Sequence, residues 1–118
     1  MLPVAKSAYL QLEDVIGCKW SVSVLRAVAA GVSRPGALER HIQGISTKVL
    51  SERLRKLTLY GLLAKQVFAE VPPRTEYSLT HNGQKLVGII DQIKLLDDAI
   101  RSAEQSPPAS PKERRRGA

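Results

Sequence analysis

One segment, residues 46–60, constrains the fold of this chain more than any other. Leu50, Leu54 and Leu57 fall on one stripe when successive residues are placed about 100° apart. Ser46, at the start of the segment, is a residue that caps helix N-termini well. The side opposite the leucines is polar and carries Lys48, Ser51, Glu52 and Arg55. The pattern therefore predicts an amphipathic helix over Ser46–Tyr60.

The residues before this segment predict a helix-turn-helix. Apolar periodicity and helix-stop residues indicate helices over Tyr9–Ile16, about Trp20–Ala30, and Ala37–Gln43. Gly44 and Ile45 then form a tight corner before Ser46. A short helix, a tight turn that contains glycine, and a second helix with an exposed polar face are the parts of a helix-turn-helix.

The residues after this segment predict a two-stranded wing and a long terminal helix. Leu63–Glu70 and Thr75–Thr80 suit strands, and the proline pair between them suits an exposed hairpin tip. Thr80 can cap a helix that runs to about Ala103, with one apolar register formed by Leu86, Ile89, Ile90, Ile93, Leu96 and Ile100. We expect a mainly α-helical chain with a small β-wing: one domain over 1–103 and, from its Pro, Ser and Arg content, a disordered basic tail over 104–118.

The charge distribution favours a polyanionic partner. The net charge is +7, and residues 1–80 hold 11 of the 18 Lys and Arg residues but only 6 of the 11 Asp and Glu residues. A basic tail alone would not produce this distribution. The excess is densest at Arg40, Lys48, Arg53, Arg55 and Lys56. Duplex DNA is the partner that we expect along this helix.

The helix over 46–60 supplies most of the candidate DNA contacts. At its start, Ser46 and Thr47 can donate to a phosphate that the unpaired backbone N–H groups also face. Lys48 and Arg55 can reach guanine acceptors in the major groove, and Ser51 can serve as donor or acceptor. These assignments predict base recognition by one exposed face of the helix.

Arg74 is the candidate contact in the wing. It follows the proline pair, so we expect it at the hairpin tip, where it would meet a phosphate or the neighbouring minor groove. The alternative interpretation is that the basic residues only form the solvated face of an ordinary amphipathic helix. The tight turn, the capping serine and the basic wing favour DNA binding over that alternative.

Several short motifs occur in order along the chain: Ile16-Gly17-Cys18-Lys19-Trp20, Gly44-Ile45-Ser46-Thr47-Lys48-Val49-Leu50, Arg53-Leu54-Arg55-Lys56-Leu57, Gly61-Leu62, and Val71 to Thr80 followed by Gly83. Together, over about Tyr9–Gly88, they resemble the HxlR family of bacterial regulators. The resemblance implies a winged helix-turn-helix fold and homodimers formed through the first and last helices. It also implies operator binding that represses or activates nearby genes.

The single cysteine, Cys18, is a candidate redox site. Redox-sensing members of that family carry a cysteine about a dozen residues before the Lys-Trp pair, where this chain has Ser7. Cys18 adjoins Lys19, which can lower the thiol pKa and favour the thiolate. The alternative is that Cys18 is a small buried hydrophobe at a helix junction. The hypothesis that Cys18 senses oxidants or electrophiles fails if Cys18→Ser leaves DNA affinity and its response to diamide unchanged.

The apolar stripe of the terminal helix is broader than a lid on its own domain needs, so it predicts a subunit interface. A symmetric dimer would present two helices to half-sites about 34 Å apart, or a multiple of that. An apolar small-molecule effector could bind between the dimer helices, although no residue pattern identifies it.

The sequence offers no catalytic, metal or membrane signature. It has no Gly-x-Ser-x-Gly elbow and no acid–base pair, and the glycines of 31–36 lack the Lys-Ser/Thr of a phosphate-binding loop. His41 and His81 lack ligand spacing, and the longest apolar stretch carries Arg26. We therefore expect no enzyme activity, no cofactor and a cytoplasmic, nucleoid-associated location.

Two other functions stay open from the sequence. A winged helix can serve protein–protein interaction, which the basic face argues against. The Arg114-Arg115-Arg116 run could also assist a non-specific, architectural DNA binder. Salt dependence and footprinting separate these alternatives from an operator-specific regulator.

Overall fold

The computed structural model describes residues 7–105 of the chain. Its elements follow in the order α1 (Ala8–Ile16), α2 (Lys19–Ala29), α3 (Pro35–His41), α4 (Thr47–Leu59), β1 (Leu63–Phe68), β2 (Arg74–Leu79) and α5 (His81–Gln105). The mainly helical order with one two-stranded antiparallel sheet confirms the predicted fold class. The tail predicted to be disordered lies outside the described residues from Ser106 onward.

The chain divides into two compact units, Met1–Gly88 and Ile89–Ala118. The core of the first unit is built from the apolar faces of its helices and the base of its sheet. Its side chains that are no more than 3% exposed include Val15, Val24, Leu25, Leu38, Leu50, Leu54, Leu57 and Leu63. The leucine stripe that predicted α4 therefore lies fully inside this core.

The turn between α3 and α4 has the geometry that a helix-turn-helix needs. Gly44 adopts φ +86°, a left-handed conformation that favours glycine, and a Cβ there would meet the Trp20 ring at 3.6 Å. The prediction placed the end of α3 at Gln43, but the helix ends at His41 because Ile42 turns to extended backbone and is buried. Ser46 is the N-cap of α4, as predicted, and its side chain accepts from the Val49 N–H at 3.1 Å.

The wing is a hairpin in which Leu63 pairs with Leu79 at one end and Phe68 pairs with Arg74 at the other. β1 ends two residues earlier than predicted. β2 begins one residue earlier, so Arg74 is part of the strand pair and the tip consists of residues 69–73. The prediction that Arg74 lies at the tip is therefore wrong.

The base of the wing is fastened by Thr80 and Gly83. The Thr80 hydroxyl donates to the Gly61 carbonyl at 2.6 Å and accepts from the Gly83 N–H at 3.0 Å, which confirms that Thr80 caps the terminal helix. A Cβ at Gly83 would overlap the backbone carbonyl of Leu62. Only glycine fits at this position without a shift of the backbone.

The described part of the second unit, residues 89–105, is the later part of α5. The helix extends to Gln105, two residues beyond its predicted end and into the predicted tail. Ile90 is buried, whereas the large apolar side chains that are 45–61% exposed are Ile89, Ile93, Leu95, Leu96 and Ile100. Within residues 7–105, no helix combines the length and the apolarity needed to cross a bilayer.

Candidate nucleic-acid interface

The N-terminus of α4 is exposed, and its two hydroxyl residues differ in what they already bind. The Ser46 oxygen accepts a backbone hydrogen bond, which leaves its hydroxyl proton available for another acceptor. Thr47 instead donates its hydroxyl to the Glu39 carboxylate at 2.7 Å. Thr47 therefore links α3 to α4 in this structure, and of the two hydroxyl residues Ser46 keeps a donor for an anion.

The outward face of α4 exposes Lys48, Ser51 and Arg55. Lys48 and Arg55 lie seven residues apart, which corresponds to about 10.5 Å along the helix axis. Neither cation forms an ion pair with a carboxylate among the described residues 7–105. The sequence predicted this shared face, and the structure leaves both positive charges on it uncompensated by ion pairs.

Two other basic residues of α4 point elsewhere. The Lys56 ammonium lies 2.8 Å from the Asp14 carboxylate, to which the Tyr60 hydroxyl also donates at 3.1 Å. The hydrogen bond to Asp14 raises the pKa of Lys56. The Nε atom of Arg53 is buried without a hydrogen-bond partner among the described residues. The four cations of the basic patch that lie on α4 therefore separate into an outward pair and two that face the protein.

Arg74 is held inside the wing. Its guanidinium lies 3.1 Å from Glu70 and 3.2 Å from Glu76, and stacks 4.0 Å from the centroid of the Phe68 ring. The side chain is 28% exposed. Two carboxylates thus compensate the charge that the sequence had assigned to DNA, and the observed contacts of Arg74 fasten the hairpin.

Cys18 lies at the N-cap of α2 and is partly buried. Burial by itself raises the pKa of the thiol, but the hydrogen bonds of Ser21 and the charge of Arg53 outweigh it, so the pKa is lowered overall. The prediction that Lys19 lowers this pKa is wrong: the responsible cation is Arg53, while Lys19 lies over the Trp20 ring at 4.8 Å.

No metal-binding cluster accompanies these residues. Within the part of the chain that the structure describes, no group of three or more His, Cys, Asp and Glu side chains could hold an ion.

The fold and the exposed basic helix define the winged helix-turn-helix class. Residues 15–105 match the model of the HxlR-like helix-turn-helix family, and the chain belongs to that family. It therefore carries the helix-turn-helix of that family, and its curated relatives are named HTH-type transcriptional regulators.

Individual proteins agree with this assignment. The chain is 42% identical over 77 residues to the uncharacterized HTH-type transcriptional regulator sll1512 from Synechocystis sp., a match that covers 65% of this chain and 57% of that protein. The chain thus spans little more than half the length of that relative.

Solved structures share the fold. A regulator assigned to the MarR family from Enterococcus faecalis V583 superposes with a TM-score of 0.74 at 28% identity, over 87% of this chain and 96% of that one. The redox regulator HypR in its reduced form gives a TM-score of 0.72 at 32% identity, over 86% of this chain and 100% of that one.

Proposed function

We propose that this chain is a sequence-specific regulator that inserts α4 into the major groove of duplex DNA and represses or activates nearby genes. The observation that carries the proposal is the outward face of α4, where Lys48 and Arg55 have no ion-pair partner among residues 7–105. Because the apolar face of α4 is buried in the core, this cationic face is the one that a polyanion can approach.

The residues of α4 divide between base and backbone contacts. Lys48 and Arg55 can bind the guanine O6 and N7 acceptors, and Ser51 lies between them. Ser46 donates to a phosphate that also faces the first N–H groups of the helix. Thr47 can join that contact only by releasing Glu39, so its first role is to position the helix. Likewise, Arg74 supports the shape of the wing and reaches phosphate only by releasing Glu70 or Glu76.

The regulator acts as a homodimer in this proposal. Tyr9 and Leu10 of α1 are 69% and 49% exposed, and five large apolar side chains in residues 89–105 of α5 are 45–61% exposed. A second copy that covers these residues would present two α4 helices to a pseudo-palindromic operator, with half-sites about 34 Å apart or a multiple of that. A DNA target places the regulator in the cytoplasm with the nucleoid. A cleft between the paired helices is where an apolar effector would bind.

The test is a titration of a selected duplex with the wild-type chain and with Arg55→Ala. Loss of a base-reading arginine should cost about 1–3 kcal/mol, roughly 5- to 150-fold in Kd, and relax specificity at one base pair. Lys85→Ala, which removes an exposed lysine of α5, is the matched control and should retain affinity. Unchanged binding by Arg55→Ala would refute the assignment of this face. Salt-independent binding would favour a protein partner instead.

A second proposal concerns the input signal. The lowered pKa of Cys18, set by Ser21 and Arg53, favours a thiolate that reacts with oxidants or electrophiles. The similar solved structure of HypR is that of a redox regulator. We therefore expect diamide to change the DNA affinity of the wild-type chain but not that of Cys18→Ser. An identical response of the two chains would reject Cys18 as the sensor.

A further inference from the structure

A groove of about 570 Å³ runs beside α4 and is walled on its other side by the wing. α4 contributes Ser51, Arg55 and Thr58, and the strands contribute Lys65 and Tyr77. Two of the lining side chains are cations and none is a carboxylate. The groove therefore combines positive charge from two different elements.

Lys65 is placed in this groove by the register of the hairpin. It pairs with Tyr77, and side chains alternate between the two faces of a strand. Lys65 thus shares the face of Leu63 and Tyr77, whose side chains reach the core. Gln66 lies on the opposite face. Lys65 itself is exposed and forms no ion pair with a carboxylate among residues 7–105.

On the opposite face of the wing the cations are compensated by carboxylates. There Arg74 is compensated by Glu70 and Glu76, and Glu76 also lies 3.8 Å from Arg34. A phosphate that approached this face would meet two carboxylates. On the groove face it would meet Lys65 and Arg55, with no carboxylate lining the groove.

We propose that this groove receives the sugar-phosphate backbone of one DNA strand, and that Lys65 is the phosphate contact of the wing. The proposal rests on the proposed function: when α4 lies in the major groove, a strand that borders that groove passes between α4 and the wing. Lys65 binds the phosphate from the wing side of the groove. The Ser51 hydroxyl binds it from the α4 side. Thr58 does not serve as a donor because its hydroxyl already donates to the Leu54 carbonyl at 2.7 Å.

The apolar part of the groove fits the same ligand. Leu54, Leu59 and Tyr77 contribute side chains to the lining, and Leu59 is 73% exposed. Deoxyribose rings present apolar C–H surface between the phosphates, so the floor of the groove can contact the sugars while Lys65 contacts a phosphate. This arrangement moves the wing contact from Arg74 to Lys65.

The experiment compares Lys65→Gln with wild type in the full chain, titrating a selected duplex and a random-sequence duplex between about 0.05 and 0.2 M salt. Loss of one phosphate contact should reduce the slope of log K against log salt by about 0.9 per protomer. At 0.1 M salt the substitution should weaken binding to both duplexes equally, by on the order of five- to tenfold. Circular dichroism confirms that the variant is folded.

The matched control is the exchange variant Lys65→Gln/Gln66→Lys, which keeps composition and net charge but moves the cation to the opposite face of β1. We expect it to bind as weakly as Lys65→Gln. Recovery of wild-type affinity by the exchange would overturn the proposal, because net charge of the wing would then suffice.

The remaining outcomes separate this inference from the proposed function. If Lys65→Gln keeps wild-type affinity and slope while Arg55→Ala loses affinity, the groove assignment is wrong and the proposed function stands. If the wild-type chain binds no duplex at all, both fail. Arg74→Gln, measured in parallel, should leave the salt slope unchanged. A reduced slope would show that Arg74, and not Lys65, is the phosphate contact of the wing.

Discussion

α4 and the later part of α5 are both amphipathic helices, but the apolar face is buried in α4 and exposed in α5. In α4, Leu50, Leu54 and Leu57 are at most 3% exposed. In residues 89–105 of α5, Ile93 and Leu96 are 45% and 59% exposed. Helical periodicity in the sequence is the same kind of signal in both cases and does not distinguish them.

The difference indicates what each helix has left to bind. α4 buries its apolar side within its own unit and exposes cations that form no ion pair among residues 7–105. The partner that this helix can still bind is therefore an anion. α5 leaves apolar area in water, at a cost of roughly 25 cal/mol per Å² relative to burial. A partner with an apolar surface, here proposed to be a second copy, recovers that free energy.

The largest expected effect is the loss of stability when a buried apolar side chain of α4 is truncated. Leu57→Ala removes a fully buried side chain and should lower the free energy of unfolding by about 2–5 kcal/mol, because transfer and cavity terms add. Ile100→Ala, at a site 50% exposed, should change it by about 0.5 kcal/mol in the monomer. Chemical denaturation at low protein concentration measures both. Equal losses would show that the two helices are buried alike.

The next effect is on dimerisation, and it tests the exposed apolar side chains of α5. Ile93→Lys and Leu96→Lys place charge in the proposed dimer interface, and each should weaken dimerisation at least about tenfold, or 1.4 kcal/mol. Sedimentation velocity over a concentration series measures the dissociation constant. Asp98→Lys, which the helical projection places away from the stripe, serves as the control and should dimerise normally. A wild-type chain that stays monomeric at micromolar concentration would contradict the interface.

A smaller effect is expected at the cap of α4. Ser46→Ala removes the acceptor of the Val49 N–H and should cost about 1 kcal/mol of stability. It also removes a proposed phosphate donor, so DNA affinity should fall for all sequences alike. Ser46→Asp restores the cap but introduces negative charge. It should therefore recover stability and not DNA binding, and recovery of both would exclude the phosphate contact.

The smallest effect concerns Cys18. Because its pKa is lowered partly by the charge of Arg53, the thiolate should persist to lower pH than in an ordinary cysteine. Arg53→Gln should raise the pKa, so the pH profile of the iodoacetamide reaction should shift to higher pH and alkylation at pH 7 should slow. A profile that does not move would show that the hydrogen bonds of Ser21 and Trp20 lower the thiol pKa without a contribution from Arg53.

Local signals predicted most of the fold. The caps Ser46 and Thr80, the corner at Gly44 and the leucine stripe act over a few residues, and each appears where the sequence placed it. They predicted the element order and the outward face of α4.

Tertiary pairing accounts for what the sequence did not predict. Arg74 lies opposite Phe68 and between two glutamates only because of the hairpin register, and Arg53 lies near Cys18 only because α4 packs on α2. Lys65 could not be predicted from the sequence as a phosphate contact, because the outer part of β1 is exposed on both faces and shows no alternation of polarity.

Sequence recognition by α4 is tested most directly by selection from a random duplex pool. We expect an enriched motif with two symmetry-related half-sites, about 34 Å apart or a multiple of that. We also expect Arg55→Ala, selected against the same pool, to lose the preference at one position of each half-site. A pool that is bound without enrichment, or a motif that Arg55→Ala reproduces unchanged, would contradict sequence recognition by α4.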